Sequence, residues 1–337
     1  MKSRILLLIG LSLVVASTYF SPTDYGVSPY AFGTAGRFPV LPDGANSVFY
    51  NPALLLGLND QISAFYSNIH TDTDQLNIAL THNKDPFPIG AGVSRFSVNN
   101  LISTYVDGDG VVQKGNTFAY ANNVYVLGTA MDLRLFTIGA NIKIFQNDSQ
   151  TNKAFGMNSN VGIKYALNND VVLTLVGENI VPTSIAWQSG NTESPARNVI
   201  LGGWGSFGPF SFSSSQVFYN LEEYLWSYSL SYSMDSFFPF IAYTYDTLYS
   251  DNPFVKVGAR LQVFGLTFDY ALIPNHLFDK EMNHYFALKL ELGSKADSQN
   301  SPAKKPKLRV GKKADYSKVK NEQKILIIDS IDELKGR

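Results

Sequence analysis

The chain has 337 residues, with 27 Lys and Arg against 28 Asp and Glu, a formal net charge of −1. Charged residues make up 16%, against roughly a quarter in typical soluble domains, while aromatics reach 13%. No cysteine is present, which excludes a disulfide framework, thiolate metal sites and a lipidated N-terminal cysteine. The first element is MKSRILLLIGLSLVVAS: Lys2 and Arg4 precede an apolar run from Ile5 to Val15, and small Ala16 and Ser17 follow. That is the three-part layout of a secretory signal peptide, residues 1–17, with cleavage expected near Ala16–Thr18. The run is short for a membrane span of about 20 residues. No later run is long enough for one, so a place in a membrane would have to be taken by strands.

From residue 59 to 293 the sequence is a succession of alternating segments. A period of two puts successive side chains on opposite faces of a strand. In Tyr224–Met234, serines 227, 229, 231 and 233 alternate with Trp226, Tyr228, Leu230 and Tyr232. In Leu135–Phe145, Phe136, Ile138, Ala140, Ile142 and Ile144 oppose Thr137, Gly139, Asn141 and Lys143. Similar patterns run through Phe254–Val263, Leu266–Leu272 and Tyr285–Leu292. About fourteen strands are expected. They lie near 60–69, 73–82, 88–98, 116–128, 134–146, 154–167, 170–180, 195–206, 208–219, 223–234, 237–247, 253–263, 264–273 and 283–293. Connections alternate in length, short at 83–87, 168–170 and 235–236, longer at 99–115 and 181–194. An even number of strands, one apolar and one polar face, and short turns opposite longer loops describe an all-β, transmembrane antiparallel β-barrel. The serines then line the lumen and the aromatics face lipid. Phe237–Tyr245 is aromatic on both faces, and its inward rings are expected to fill the lumen.

Alternation also places Lys143, Lys164, Lys256, Arg260, Asp269, Lys289 and Glu291 inside. A Lys or Arg facing lipid at the midplane would cost about 2–4 kcal/mol, so inward is the physical default. They would pair with one another and with whatever fills the lumen. Alternatively, Arg260 and Lys256, both basic on one face, would hold a ligand carboxylate.

The segment 18–58 is rich in Gly and Pro and has no alternation. It contains LPDGANSVFYNPALL, with Asp43, Gly44, Ala45, Asn51, Pro52 and Ala53. Pro52 fixes its own φ and disfavours helix at Asn51, whose side chain can bond nearby backbone and hold a tight turn. At these residues the chain resembles the FadL/PorV superfamily of outer-membrane barrels. The resemblance implies a D-G-A…N-P-A plug motif, an N-terminal plug segment at 18–58 with Tyr25–Leu55 inside the barrel, and fourteen strands. It further implies a bacterial outer-membrane location in contact with lipid. The implied function is a channel for hydrophobic small molecules such as fatty acids, bound in the lumen. The alternative is a PorV-like barrel that anchors or carries partner proteins. The chain is shorter than FadL-type transporters, and its loops leave little room for their extracellular helical elements.

Beyond residue 293 the composition changes. Residues 294–337 hold ten Lys and two Arg against six Asp and Glu, 12 − 6 = +6, so the remainder carries −1 − 6 = −7. A basic Pro/Lys-rich stretch leads to KILIIDSIDELKG, with Ile325, Leu326, Ile327, Ile328, Ile331 and Leu334 as an apolar patch. An even barrel puts this tail in the periplasm, where it would meet a protein partner. Export argues against nucleic acid as a partner.

No chemistry of a site stands out. The four histidines, His70, His82, His276 and His284, have no metal-ligand spacing. Asp107 and Asp109 in VDGDG lack the other ligands of a Ca²⁺ loop and read as a Gly-rich loop tip. No cofactor, metal or catalytic constellation is expected.

Overall fold

The computed structural model describes residues 21–34, 40–70, 72–84, 86–149, 152–219, 222–247, 250–274 and 282–292. The signal peptide and the tail 294–337 expected from sequence lie outside the described residues, as do 18–20 and 35–39 of the plug segment. Sixteen strands are present among the described residues: β1 (Gln61–His70), β2 (Thr73–His82), β3 (Ile89–Val106), β4 (Val112–Asp132), β5 (Thr137–Ser149), β6 (Asn152–Ala166), β7 (Val171–Glu178), β8 (Ile185–Trp187), β9 (Thr192–Glu193), β10 (Asn198–Phe207), β11 (Phe210–Tyr219), β12 (Glu222–Tyr232), β13 (Phe237–Asp246), β14 (Ser250–Val263), β15 (Leu266–Pro274) and β16 (Met282–Glu291). Fourteen form one antiparallel ring, closed where β1 pairs β16 from Gln61↔Glu291 to Tyr66↔Phe286. The other two, β8 and β9, make a small hairpin within the long β7–β10 connection, and β8 adds to the end of β6 through Ala154↔Trp187. Closure matters physically because it leaves the wall no unpaired edge in a medium without water.

The expected faces are realised. Along β12, Trp226, Tyr228 and Leu230 are exposed while Ser227 and Ser229 are buried. Along β5, Asn141 and Lys143 are buried while Ile142 and Ile144 face out. Exposed large apolar side chains on nearly every ring strand form a belt suited to lipid rather than water. No described helix is long and apolar enough to cross a membrane; strands are the crossing elements. Among inward aromatics of β13, Phe240 is buried and meets Tyr30 of the N-terminal segment edge-on, with ring centroids 5.9 Å apart.

Two connections differ from expectation: 181–194 holds the β8–β9 hairpin, and the other differs more. Residues 99–115, read as a long loop, continue β3 and β4 as a hairpin. Leu101 pairs Phe118 and Val106 pairs Val112, with a turn at 107–111. The register shifts between Val98 and Leu101, and Asn100 adopts φ 55°. This hairpin stands beyond its neighbours: β2 ends at Thr73↔Val98 and β5 ends at Tyr120↔Ser149. With both faces exposed, nothing requires apolar alternation, and so the sequence signal was missing. At the tip the Asp107 carboxylate accepts from the backbone N–H of Asp109 (3.0 Å) and Val111 (2.9 Å) and from Gln113 Nε2 (2.8 Å), as a turn requires.

The chain enters and leaves the ring at one end. Leu292 N–H donates to the Asp60 carbonyl at 2.7 Å. This terminal end carries the short turns 83–88, 133–136, 167–170, 208–209, 233–236 and 264–265; the opposite end carries the β3–β4 hairpin and the 179–197 connection.

Candidate functional site: the plug and its seat

The described residues of 21–58 fill the ring. A capped 3₁₀ turn spans Pro22–Tyr25: Ser21 Oγ accepts from Thr23 N–H, and Asp24 Oδ2 accepts from Ser21 N–H. Helix α1 (Pro29–Thr34) and helix α2 (Ser47–Tyr50) follow, then a second 3₁₀ turn, Pro52–Leu55. These pieces are short because Pro and Gly interrupt them and no apolar stripe sustains a longer helix. Val48, Phe49, Tyr50, Ala53 and Leu54 are wholly buried against the wall.

Two kinds of attachment hold the segment. The first is charged. Asp43 stands at the centre, fully buried. Its Oδ1 accepts from Arg260 Nη2 at 2.6 Å and from Lys289 Nζ, and its Oδ2 accepts from Ser28 Oγ and, at 3.4 Å, from Asn46 Nδ2. Asp269 completes the group: Arg260 Nε and Nη2 donate to its two oxygens at 2.6 and 2.9 Å, and Lys289 Nζ lies 2.7 Å from Oδ2. The Tyr30 ring covers the guanidinium, with Cζ 3.5 Å from its centroid. Two carboxylates and two cations therefore balance in a buried interior. That balance is the condition under which buried charge is tolerated. Lys256 makes a smaller attachment, donating to the Phe32 carbonyl at 3.0 Å, with Nζ 4.4 Å from the Phe32 ring centroid.

The second kind is an amide seam on β5 and β6. Asn141 Nδ2 donates to the Val48 carbonyl at 2.6 Å, and Asn160 Nδ2 to the Phe49 carbonyl at 3.2 Å. Asn51 Oδ1 accepts from Ala53 N–H at 3.2 Å, capping the Pro52–Leu55 turn. The wall gives way to this turn at Gly139 and Gly162. A Cβ on Gly139 would overlap the Pro52–Ala53 backbone, and one on Gly162 would overlap the Asn51 side chain. Gly44, at φ 60°, aligns the chain so that Ala45 N–H donates to Gln61 Oε1 at 2.8 Å. Elsewhere Gln75 Nε2 caps the Pro22 and Gly26 carbonyls (3.1 and 2.6 Å), and Ser213 Oγ donates to the Thr34 carbonyl at 3.1 Å.

The structure thus brings Asp43, Arg260, Asp269 and Lys289 into one cluster, and Asn51, Pro52 and Ala53 onto the β5–β6 wall. Lys143 is buried elsewhere, its Nζ 3.3 Å from Glu178 Oε1, while Glu178 Oε2 accepts from Asn198 Nδ2 at 2.8 Å. Lys164 is half-buried near the end of β6, at the terminal mouth. Glu291 also stands at that mouth, last in β16, where Asn59 Nδ2 donates to it at 3.3 Å. Sequence reasoning missed Asn141, Asn160 and the two wall glycines. Their signal was visible as inward Asn and Gly on adjacent strands, yet only a filled lumen gives those positions meaning. Among the described residues, a void of about 10 Å³ lies beside the plug between Thr34, Val40 and the serines of β11 and β12. On the outer face an apolar groove of about 450 Å³, lined by Tyr66, Leu76, Phe268 and Phe286, faces the membrane zone.

No family model matches the sequence, and no curated protein matches it. Solved structures do match. The P. putida toluene transporter TodX aligns with TM-score 0.55 at 11% identity, over 81% of this chain and 99% of that one. The Ralstonia pickettii toluene transporter TbuX aligns with TM-score 0.55 at 12% identity, over 79% and 98%. At such identities the likeness is one of fold. Fourteen antiparallel strands closed around a helical N-terminal plug is the architecture that the FadL/PorV resemblance implied, and this chain has it.

Proposed function

We propose that the chain is a bacterial outer-membrane channel, exported after removal of residues 1–17, that admits hydrophobic small molecules. The observation that carries this reading is a lumen occupied by a discrete segment fastened at one charge cluster and one amide seam. A standing aqueous pore for ions or sugars needs open cross-section, and the plug removes it. A barrel so filled passes only what can move around a shifted segment. The likeness to two toluene transporters supports hydrophobic cargo, and the apolar outer groove gives such cargo a resting place. Monoaromatic hydrocarbons and fatty acids are the classes to try. Uptake of labelled toluene and of labelled oleate should rise several-fold in cells expressing the protein. Uptake equal to that of cells carrying the empty vector, with the barrel correctly inserted, would exclude transport of these classes.

A second reading rests on the β3–β4 hairpin. A two-stranded ribbon is at best marginal by itself, yet this one projects with Tyr105, Val106, Val111 and Val112 exposed. Among the described residues its outer edges pair no strand beyond Val98 and Tyr120, the condition for strand addition by a partner. A barrel that carries proteins would use such an arm. Gentle extraction distinguishes the two readings: retained apolar ligands in mass spectrometry support transport, and a stoichiometric protein lost on removing 100–117 supports carriage.

A further inference from the structure

Lys143 and Glu178 form a buried ion pair that takes no part in holding the plug. Both side chains are fully enclosed, with Lys143 Nζ 3.3 Å from Glu178 Oε1. Alternation turns them into the lumen, one from β5 and one from the end of β7, with β6 between. Asn198 of β10 stands opposite Glu178 in register and donates its Nδ2 to Glu178 Oε2 at 2.8 Å. That bond decides which way the amide points, because a carboxylate only accepts and must meet the NH₂ end. Asn198 Oδ1 is left as a buried acceptor with no donor among the described residues. The lysine is under-used in the complementary sense. An ammonium carries three N–H donors, and among the described residues Glu178 Oε1 is the acceptor it meets. Spare donors and a spare acceptor thus flank one carboxylate, on side chains more than nine-tenths buried. Such groups are costly to leave unmet, and they call for an occupant.

The neighbours set the rest of the chemistry. Phe145, Val176 and Ile200 lie two positions from Lys143, Glu178 and Asn198 on the same strands and the same face. All three are buried in one apolar cluster with Phe49 and Tyr50 of the plug. Asn160 joins this place to the plug: its Oδ1 accepts from Asn179 N–H at 3.1 Å, next to Glu178, while its Nδ2 holds the Phe49 carbonyl. Withdrawal of α2 would therefore open the lumen beside the ion pair. We propose that Lys143, Glu178 and Asn198 bind the hydroxyl group of an apolar cargo molecule, whose body lies along Phe145, Val176 and Ile200. A hydroxyl both accepts and donates, so it accepts from Lys143 and donates to Asn198 Oδ1. A carboxylate only accepts; it would leave Asn198 Oδ1 unmet and bring a second negative charge beside Glu178. A hydrocarbon meets neither group. The preferred cargo is thus a phenol or a long-chain alcohol rather than a fatty acid or an unsubstituted aromatic. This inference rests on the transport reading and narrows its cargo.

Equilibrium binding of p-cresol, toluene and 4-methylbenzoate to the full-length protein in detergent tests it, since the three probes share one methylated ring. p-Cresol should bind about tenfold more tightly than toluene, the size expected of a hydrogen bond to a charged group, and 4-methylbenzoate more weakly than toluene. The preference for p-cresol over toluene should vanish in Asn198→Leu. That change leaves Glu178 Oε2 without its donor, so a second variant, Lys143→Met with Glu178→Leu, removes the ion pair as a unit and should also abolish the preference. Heat-modifiable migration identifies the folded barrels. Equal affinities for p-cresol and toluene in the parent, or a preference that survives in the folded variants, would overturn the assignment. So would tightest binding of 4-methylbenzoate, which would make Lys143 a carboxylate holder, or binding of none of the three. The transport reading is decided separately, by uptake in cells: equal affinities together with toluene uptake would sink the hydroxyl site alone.

Discussion

Asp43 shows how one side chain joins two parts of a protein. It belongs to the plug, but its partners Arg260 and Lys289 belong to β14 and β16, more than two hundred positions away. Arg260 has its Nε and Nη2 committed to Asp269 and Asp43, so the groups that sequence alone offered to a ligand carboxylate already hold protein carboxylates. Arg260→Ala leaves two buried carboxylates facing one lysine. Breaking a buried pair in this way costs about 3–5 kcal/mol, and the apparent melting temperature in detergent should fall clearly. Binding of a free carboxylate ligand should not change in the folded variant. Loss of such binding at unaltered stability would return Arg260 to a ligand-holding role.

At the scale of the element, the plug is short turns rather than a domain, and its place is decided by the wall. Asn141 and Asn160 satisfy carbonyls that α2 cannot satisfy itself, since a helix this short leaves most of its carbonyls without an intrahelical donor. Asn160→Ala should lower stability by about 1–3 kcal/mol by leaving the Phe49 carbonyl buried without its donor. Gly162→Leu should act differently, because its side chain would stand where Asn51 sits. The β wall should form with unchanged circular dichroism while the Pro52–Leu55 turn is displaced, opening ion conductance in planar bilayers. A Gly162→Leu barrel as tight as the parent would show that the seam yields without moving the plug.

For the whole molecule, barrel and plug are two systems with separate causes. The ring closes through backbone pairing, which needs no plug, whereas the plug has too few helical residues to fold without the ring. Deleting residues 21–55 while keeping residues 1–20 should therefore leave a β-rich, heat-modifiable barrel that conducts ions. Its melting temperature should be lower, because the lumen loses the packing of Phe49, Tyr50 and Leu54. Equal and small conductance in full-length and shortened proteins would mean that the wall by itself is closed.

The number of ring strands, their faces and nearly all their positions were legible in the sequence, because a period of two is a local property and each strand carries it alone; the β8–β9 hairpin was not. Lys143, Lys256, Arg260, Asp269 and Lys289 are buried on the inward face, the side that the cost of a cation in lipid favours, whereas Lys164 and Glu291 stand at the mouth. The β3–β4 hairpin was not legible: a ribbon wet on both faces has no alternation to read. Nor was the pairing of charges. The pattern placed Arg260, Asp269 and Lys289 inside and Asp43 before the wall, but closing the ring decides which of them meet. The plug's seat follows the same logic. At the Asn51–Ala53 turn the room is made by Gly139 and Gly162 of the wall. A contact between segments from 93 to 246 residues apart is a consequence of barrel closure, and no local pattern encodes it.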